Sequence, residues 1–146
     1  MKIFLDTSSL IKLYHQESGT DELENLFSNF KLTAIYLSEI SKIEFTSTIW
    51  KKVRTKELTE NIAKISIDFF ENDFNKFSFI SIENKILEKA KLLFSIYGKS
   101  GLRTLDAIQL STAVSLKKHS ELFITSDILL NSFFEKECLK TNIQNA

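Results

Sequence analysis

Proline is absent from the sequence, and glycine occurs only at Gly19, Gly98 and Gly101. Few positions can break a helix, so turns must rest on Ser, Thr, Asn, Asp and Lys. Cysteine is reduced to Cys138, which excludes an internal disulfide and fits a reducing compartment. No stretch approaches 18 consecutive apolar residues, so no membrane-spanning helix is expected. Asp6 interrupts the apolar opening MKIFLDTSSL, and a secretory signal is not expected there. Cytoplasmic location is the expectation. Net charge is missing too: 19 Lys and Arg balance 19 Asp and Glu. No global field steers such a chain to nucleic acid. Attraction for a polyanion has to be local, through a basic patch or a cation held by acids.

What is present suits one domain over residues 1–146, with 43% hydrophobic and 26% charged residues. A chain of this size buries about 68–70% of its unfolded surface, enough to fold without a staple. The apolar run Lys2–Leu5 reads as a buried strand. Residues 32–37, 77–82 and 122–125 read as three more, and 139–143 as a possible short edge strand. Helical periodicity marks 8–15, 22–30, 39–54, 60–76, Asn84–Tyr97, 104–118 and 128–135. Ser38 and Thr59 stand where helix caps belong. Ile62, Ile65, Phe69 and Phe70 form the expected inward stripe of the 60–76 helix. Strands alternating with helices predict an α/β fold, a parallel sheet of four to five strands between helical layers. A helical bundle with incidental strands is the alternative.

In an open parallel sheet, ligands bind beyond the carboxyl ends of the strands. Asp6 directly follows the first strand, and Asp127 follows the fourth by two residues. The helix after the second strand begins at the same edge and carries Glu44 about 9 Å along its axis. Asp106 lies in the first turn of the helix that feeds the fourth strand, and that helix must begin at the carboxyl edge. All four acids can therefore converge. Two unit charges 4 Å apart repel by about 4 kcal/mol at an effective dielectric of ~20. The cluster must take up protons or hold a cation. Hard oxygens without paired His or Cys select Mg²⁺ or Mn²⁺ over zinc.

Each acid also has a plain explanation. Asp6 and Asp127 could cap the helices that follow them. Asp106 could be a first-turn acid favoured by the helix dipole, although residues 102–110 offer little polar surface. Glu44 lies one turn from Ile40 and beside Ile43, on what reads as the inward face. Taken together, the plain explanations require four accidents at one edge. His15 and His119 fit no metal motif, and Cys138 has no neighbouring His. Lys51, Lys52, Arg54 and Lys56 complement a helix dipole or touch an RNA backbone, the first being favoured. Arg103 stands beside the acids and could meet a phosphate or neutralise them.

With these segments in view, the chain resembles the PIN-domain family, and within it the VapC-like toxins of toxin–antitoxin pairs. KIFLDTSSLIKLY is similar to the first family motif, with Asp6 as its acid, and SEISKIEFTSTIWK to the second, with Glu44. GLRTLDAIQLSTAVSL is the closest match and places Asp106, while LFITSDILL supplies Thr125 and Asp127. The resemblance implies a PIN-like three-layer α/β/α fold and Mg²⁺- or Mn²⁺-dependent hydrolysis of RNA by an activated water. It implies Asp6 and Asp106 as the main metal ligands, with Glu44 and Asp127 completing the cluster. Thr125, and secondarily Ser8, would orient that shell. It further implies a homodimer and a cognate antitoxin lying over the acidic groove.

Two rival functions use the same residues. One is a non-catalytic RNA- or protein-binding module on this fold. The other is an aspartate-based phosphotransfer enzyme with Asp6 as nucleophile, but such sites want a second Asp where this chain has Ser8.

Overall fold

The computed structural model describes residues 1–142. Among them four strands form one sheet: β1 (Lys2–Leu5), β2 (Ala34–Ser38), β3 (Ser78–Ile80) and β4 (Leu122–Ile124). Their order is β3-β2-β1-β4, and all three pairings are parallel. The seven α-helices are α1 (Thr7–Leu10), α2 (Thr20–Asn29), α3 (Ser41–Arg54), α4 (Glu60–Asn72), α5 (Asn84–Tyr97), α6 (Thr104–Ser115) and α7 (Ile128–Lys136). This is the α/β arrangement expected from the sequence; the helical-bundle alternative falls.

Alternation along the strands sorts the core into two halves, because successive side chains leave opposite faces of a sheet. Ile3, Leu5, Leu37 and Leu122 point to one face and pack with Leu10, Leu23, Phe45, Ile49 and Phe70 from α1–α4. Phe4 and Phe123 point to the other and pack with Leu93, Leu110, Phe133 and Phe134 from α5–α7. The sheet is thus covered on both sides, as parallel sheets require. The connection from β3 to β4 has to cross the whole sheet, and two helices, α5 and α6, span it. Gly101, at φ +102°, makes the left-handed turn between them, where a Cβ would strain the backbone.

Several boundaries differ from expectation for local reasons. Helix 8–15 begins earlier, because Asp6 rather than a later hydroxyl caps α1, and it tightens into a 3₁₀ turn at Ile11–Leu13. Helix 60–76 ends at Asn72 and continues as a 3₁₀ turn, Phe74–Lys76. The inward stripe of α4 is also corrected. Ala63, Ser66 and Phe70 are buried, while Ile62, Ile65 and Phe69 are 49%, 52% and 60% exposed. Small residues let α4 lie close to the body on that face, and the bulkier apolar edge faces outward. No strand forms over residues 139–142; one sheet-like hydrogen bond, from Phe123 N–H to the Lys140 carbonyl, is all that extends β4. Cys138, at φ +60°, turns the chain just before it. Ile143 lies outside the described residues. No helix among those residues is long and apolar enough to cross a membrane.

Candidate functional site

Register brings the first and last acids together. Leu5 is paired with Ile124, so the chain leaves the sheet at Asp6 and Thr125 side by side. The Asp6 N–H donates to the Ile124 carbonyl at 3.2 Å, and the Thr125 hydroxyl donates to Asp6 Oδ2 at 2.8 Å. Asp6 is 4% exposed. The Ser8 hydroxyl lies 2.8 and 2.9 Å from its two oxygens, and the Ser9 N–H donates to Oδ1 at 3.2 Å. Asp6 is therefore both the cap of α1 and a buried acid at the strand edge. Burial pushes its carboxyl from 3.8 to about 6, against the donors Thr125, Ser8 and Ser9, with Glu44's charge adding to the rise.

Asp127 also caps, accepting the Leu130 N–H at 2.7 Å, yet it is exposed and its Oδ2 has no donor among the described residues. Glu44 sits in the first turn of α3, half-buried. The inward face of α3 is Ser41, Phe45 and Ile49, whereas Ile43 is 70% exposed. Glu44 thus lies on a flank of the helix, not on its inward face as the sequence suggested. That flank turns to α1 and α6: Glu44 Oε1 accepts from Thr7 Oγ1 at 3.0 Å and from Gln109 Nε2 at 2.7 Å. Burial raises its carboxyl, the donors Gln109 and Thr7 oppose this, and the charge of Asp106 adds to it. Asp106, in the first turn of α6, is raised by burial and then by Asp127, while Arg103 lowers it.

All four acids line one cavity of about 190 Å³, with Ser8, Thr48 and Gln109 between them. Glu44 and Asp106 also border a wider cleft of about 580 Å³ with Phe94, Leu102 and Arg103. Among the described residues, no three acids stand close enough to enclose a metal ion by themselves. The cavity shared by the four acids is lined by no His or Cys, and Asp106, Glu44 Oε2 and Asp127 Oδ2 are not used by protein donors among the described residues, so the oxygens present fit a hard divalent cation.

Other features expected from sequence lie away from this rim. His119 is exposed and His15 half-buried, and neither lines the cavity. In the basic cluster, Lys52 is paired with Glu17 at 3.3 Å and Glu57 at 3.2 Å, side-chain partners that the sequence reading did not assign to it. The sequence reading missed Thr7, Ser41 and Gln109. Gln109 is the residue that a closer reading could have found, as an amide one turn after Asp106 inside the otherwise apolar LDAIQL.

The PIN domain family model matches residues 3–132. No curated protein matches the sequence. Among solved structures, the chain is similar to the VapC20 toxin of Mycobacterium tuberculosis, which cleaves the sarcin-ricin loop. The two are 14% identical with a TM-score of 0.67, over 89% of this chain and 93% of that one. The VapBC-1 structure from nontypeable Haemophilus influenzae gives 16% identity and a TM-score of 0.67 over 97% of both chains. VapBC2 from Rickettsia felis, bound to a fragment of its promoter DNA, gives 19% and 0.60 over 97% of this chain and 96% of that one.

Proposed function

Since the chain belongs to the PIN domain family, we propose that it is a ribonuclease toxin of a toxin–antitoxin pair. It hydrolyses RNA phosphodiester bonds in the cytoplasm with Mg²⁺ or Mn²⁺. The observation that carries this reading is the meeting of Asp6, Glu44, Asp106 and Asp127, from four separate segments, on one cavity. Uncompensated, such a cluster costs stability, and each of the three more buried acids is already pushed toward protonation. A divalent cation relieves that cost and supplies the chemistry of phosphodiester hydrolysis, activating water and stabilising the leaving oxygen.

In this reading Asp6 and Asp106 hold the cation directly, and Glu44 and Asp127 complete the acidic shell. Thr125 and Ser8 hold Asp6 in place through hydrogen bonds to its oxygens. Arg103, exposed at the start of α6 and bordering the cleft beside Asp106, meets the phosphates of the bound strand. Structures of VapBC complexes with the same fold support a cognate antitoxin as partner. A homodimer is the assembly we propose for the toxin itself.

The test is cleavage of total RNA with Mg²⁺ or Mn²⁺, against excess EDTA, for the parent and for Asp6→Asn and Asp106→Asn. Cleavage by the parent, lost with EDTA and in both variants, is expected. Full activity in both variants ends the proposal. Metal binding without cleavage of any RNA points instead to a binding module.

A further inference from the structure

We infer that Gln109 is a positioning residue for the acidic rim: its buried amide holds Glu44 by Oε1 and so keeps Oε2 free for the cation or its water. Gln109 is 2% exposed and lies on α6 one turn beyond Asp106. Its Nε2 donates to Glu44 Oε1 at 2.7 Å and stands 3.2 Å from both Thr7 Oγ1 and Ser41 Oγ. Those two hydroxyls are 2.9 Å apart, and Thr7 also donates to Glu44 Oε1. One amide thus joins α1, α3 and α6 at the point where the rim forms.

The orientation of the amide is informative. Its carbonyl oxygen is buried with no hydrogen-bond partner among the described residues. Turned around, that oxygen could accept from the hydroxyls of Thr7 and Ser41, but it would then stand 2.7 Å from a carboxylate oxygen. The fold leaves the carbonyl unpaired so that the N–H can face Glu44. A residue serving packing alone would carry no amide whose carbonyl is left stranded. An orphaned buried group in a well-packed core calls for a specific explanation, and the charge of Glu44 supplies it. No hydrogen bond to the Glu44 carboxylate other than those from Gln109 and Thr7 exists among the described residues. Without Gln109 the carboxylate keeps one tether and can swing about it. Ligands fixed by such outer contacts lose about 10–100-fold in metal affinity or activity when the contact is removed.

This inference rests on the nuclease reading only for its kinetic readout. The experiment compares the parent with Gln109→Met, which keeps the shape and removes the donor, and Gln109→Glu, which sets a second carboxylate against Glu44. Mn²⁺ affinity is measured by calorimetry, together with melting temperature and, for RNA cleavage, kcat and KM. In Gln109→Met Mn²⁺ affinity should fall about 10–100-fold, and kcat should fall with it while KM holds. Gln109→Glu should lose more of both. Unchanged Mn²⁺ affinity and kcat in a folded Gln109→Met overturn the inference and leave the nuclease reading standing. Weakened Mn²⁺ binding in the variant, with a parent that cleaves no RNA, does the reverse. A parent that binds no Mn²⁺ overturns both. Should Gln109→Met fail to fold, the side-chain amide resonances of Gln109 in the parent decide. They should shift on saturation with Mg²⁺, and resonances that ignore Mg²⁺ overturn the inference.

Discussion

The Ser8 hydroxyl straddles the carboxylate of Asp6, 2.8 Å from one oxygen and 2.9 Å from the other. A single hydroxyl proton is thereby shared between two acceptors, and neither receives a full-strength bond. With Thr125 and the Ser9 N–H it only partly offsets the burial of Asp6, whose carboxyl remains near 6. The consequence for stability has a definite sign. Unfolded, Asp6 ionises near 3.8. Between that pH and about 6 the native chain binds the proton that the unfolded chain has released, so stability falls as pH rises. Below about 4 the contribution is fully present, and above about 6 it is gone. The loss is roughly 3 kcal/mol for a shift of this size. Asp6→Asn removes the titration and preserves the cap, since Asn serves as well as Asp there. In EDTA at pH 7.5 the variant should melt several degrees above the parent, and at pH 4 the two should converge. A variant less stable than the parent at pH 7.5 contradicts the assignment of the cost to Asp6.

Addition of Mg²⁺ or Mn²⁺ should act on the parent in the opposite direction. A ligand that binds only the native state stabilises it by about 2.7 kcal/mol at a hundredfold excess over its dissociation constant. The melting temperature of the parent should rise with metal concentration at pH 7.5, and that of Asp6→Asn much less. Equal shifts for the two proteins place the cation elsewhere.

The donors around Asp6 should set the acid limb of catalysis. The carboxyl must lose its proton before it can take a cation, so cleavage should fall as pH drops through about 6. Thr125 is the first of the donors that lower this carboxyl, and Ser8 the second. Removing either, by Thr125→Val or Ser8→Ala, should move the acid limb to higher pH and reduce cleavage at pH 7 more than at pH 8.5. Thr125→Val also costs the Asp127 N–H its acceptor at 3.1 Å, so its effect on metal affinity should be the larger. Rate profiles against pH for the three proteins measure this directly; superimposed acid limbs refute it.

How far the site was legible follows from the range of the interactions involved. Asp6 and Asp127 could be placed because each stands within two residues of an apolar strand, and parallel strands end at a common edge. Asp106 could be placed because a helix that feeds a parallel strand has only one direction open to it. These are local or topological facts, and the strand and helix sequence carries them. Gln109 was not legible, because its partners Glu44, Ser41 and Thr7 lie 65, 68 and 102 residues away. An amide inside the apolar LDAIQL segment marks the position as unusual, but nothing near it in the chain says which groups it meets. Glu44 was placed at the right edge, because its helix follows the second strand, but on the wrong face of that helix. Its neighbour Ile43 reads as core by hydropathy but faces outward, since the first turn of α3 is packed through Ser41 and Phe45. A rule that ranks residues by hydropathy cannot see a serine chosen for close approach.

The same limit governs α4, and there it yields a stability test. Phe69 and Phe70 are adjacent and chemically identical, and sequence periodicity assigned both to the core. Phe70 is 1% exposed and packs its ring against Phe45 at 4.4 Å and Phe74 at 4.9 Å between centroids, whereas Phe69 is 60% exposed. Truncating a buried Phe to Ala costs about 3–5 kcal/mol, from lost transfer energy and the cavity left behind. An exposed position away from special features changes stability by about 0.5 kcal/mol or less. Phe70→Ala should therefore unfold at much lower urea than the parent, while Phe69→Ala keeps its midpoint. Because Ile62 and Ile65 are also outward, at 49% and 52% exposed, Ile62→Ala and Ile65→Ala should behave like Phe69→Ala. If Phe69→Ala proved as costly as Phe70→Ala in the isolated chain, α4 would be rotated about its axis from the position described, and the small-residue face of Ala63 and Ser66 would not be the one that meets the body of the protein.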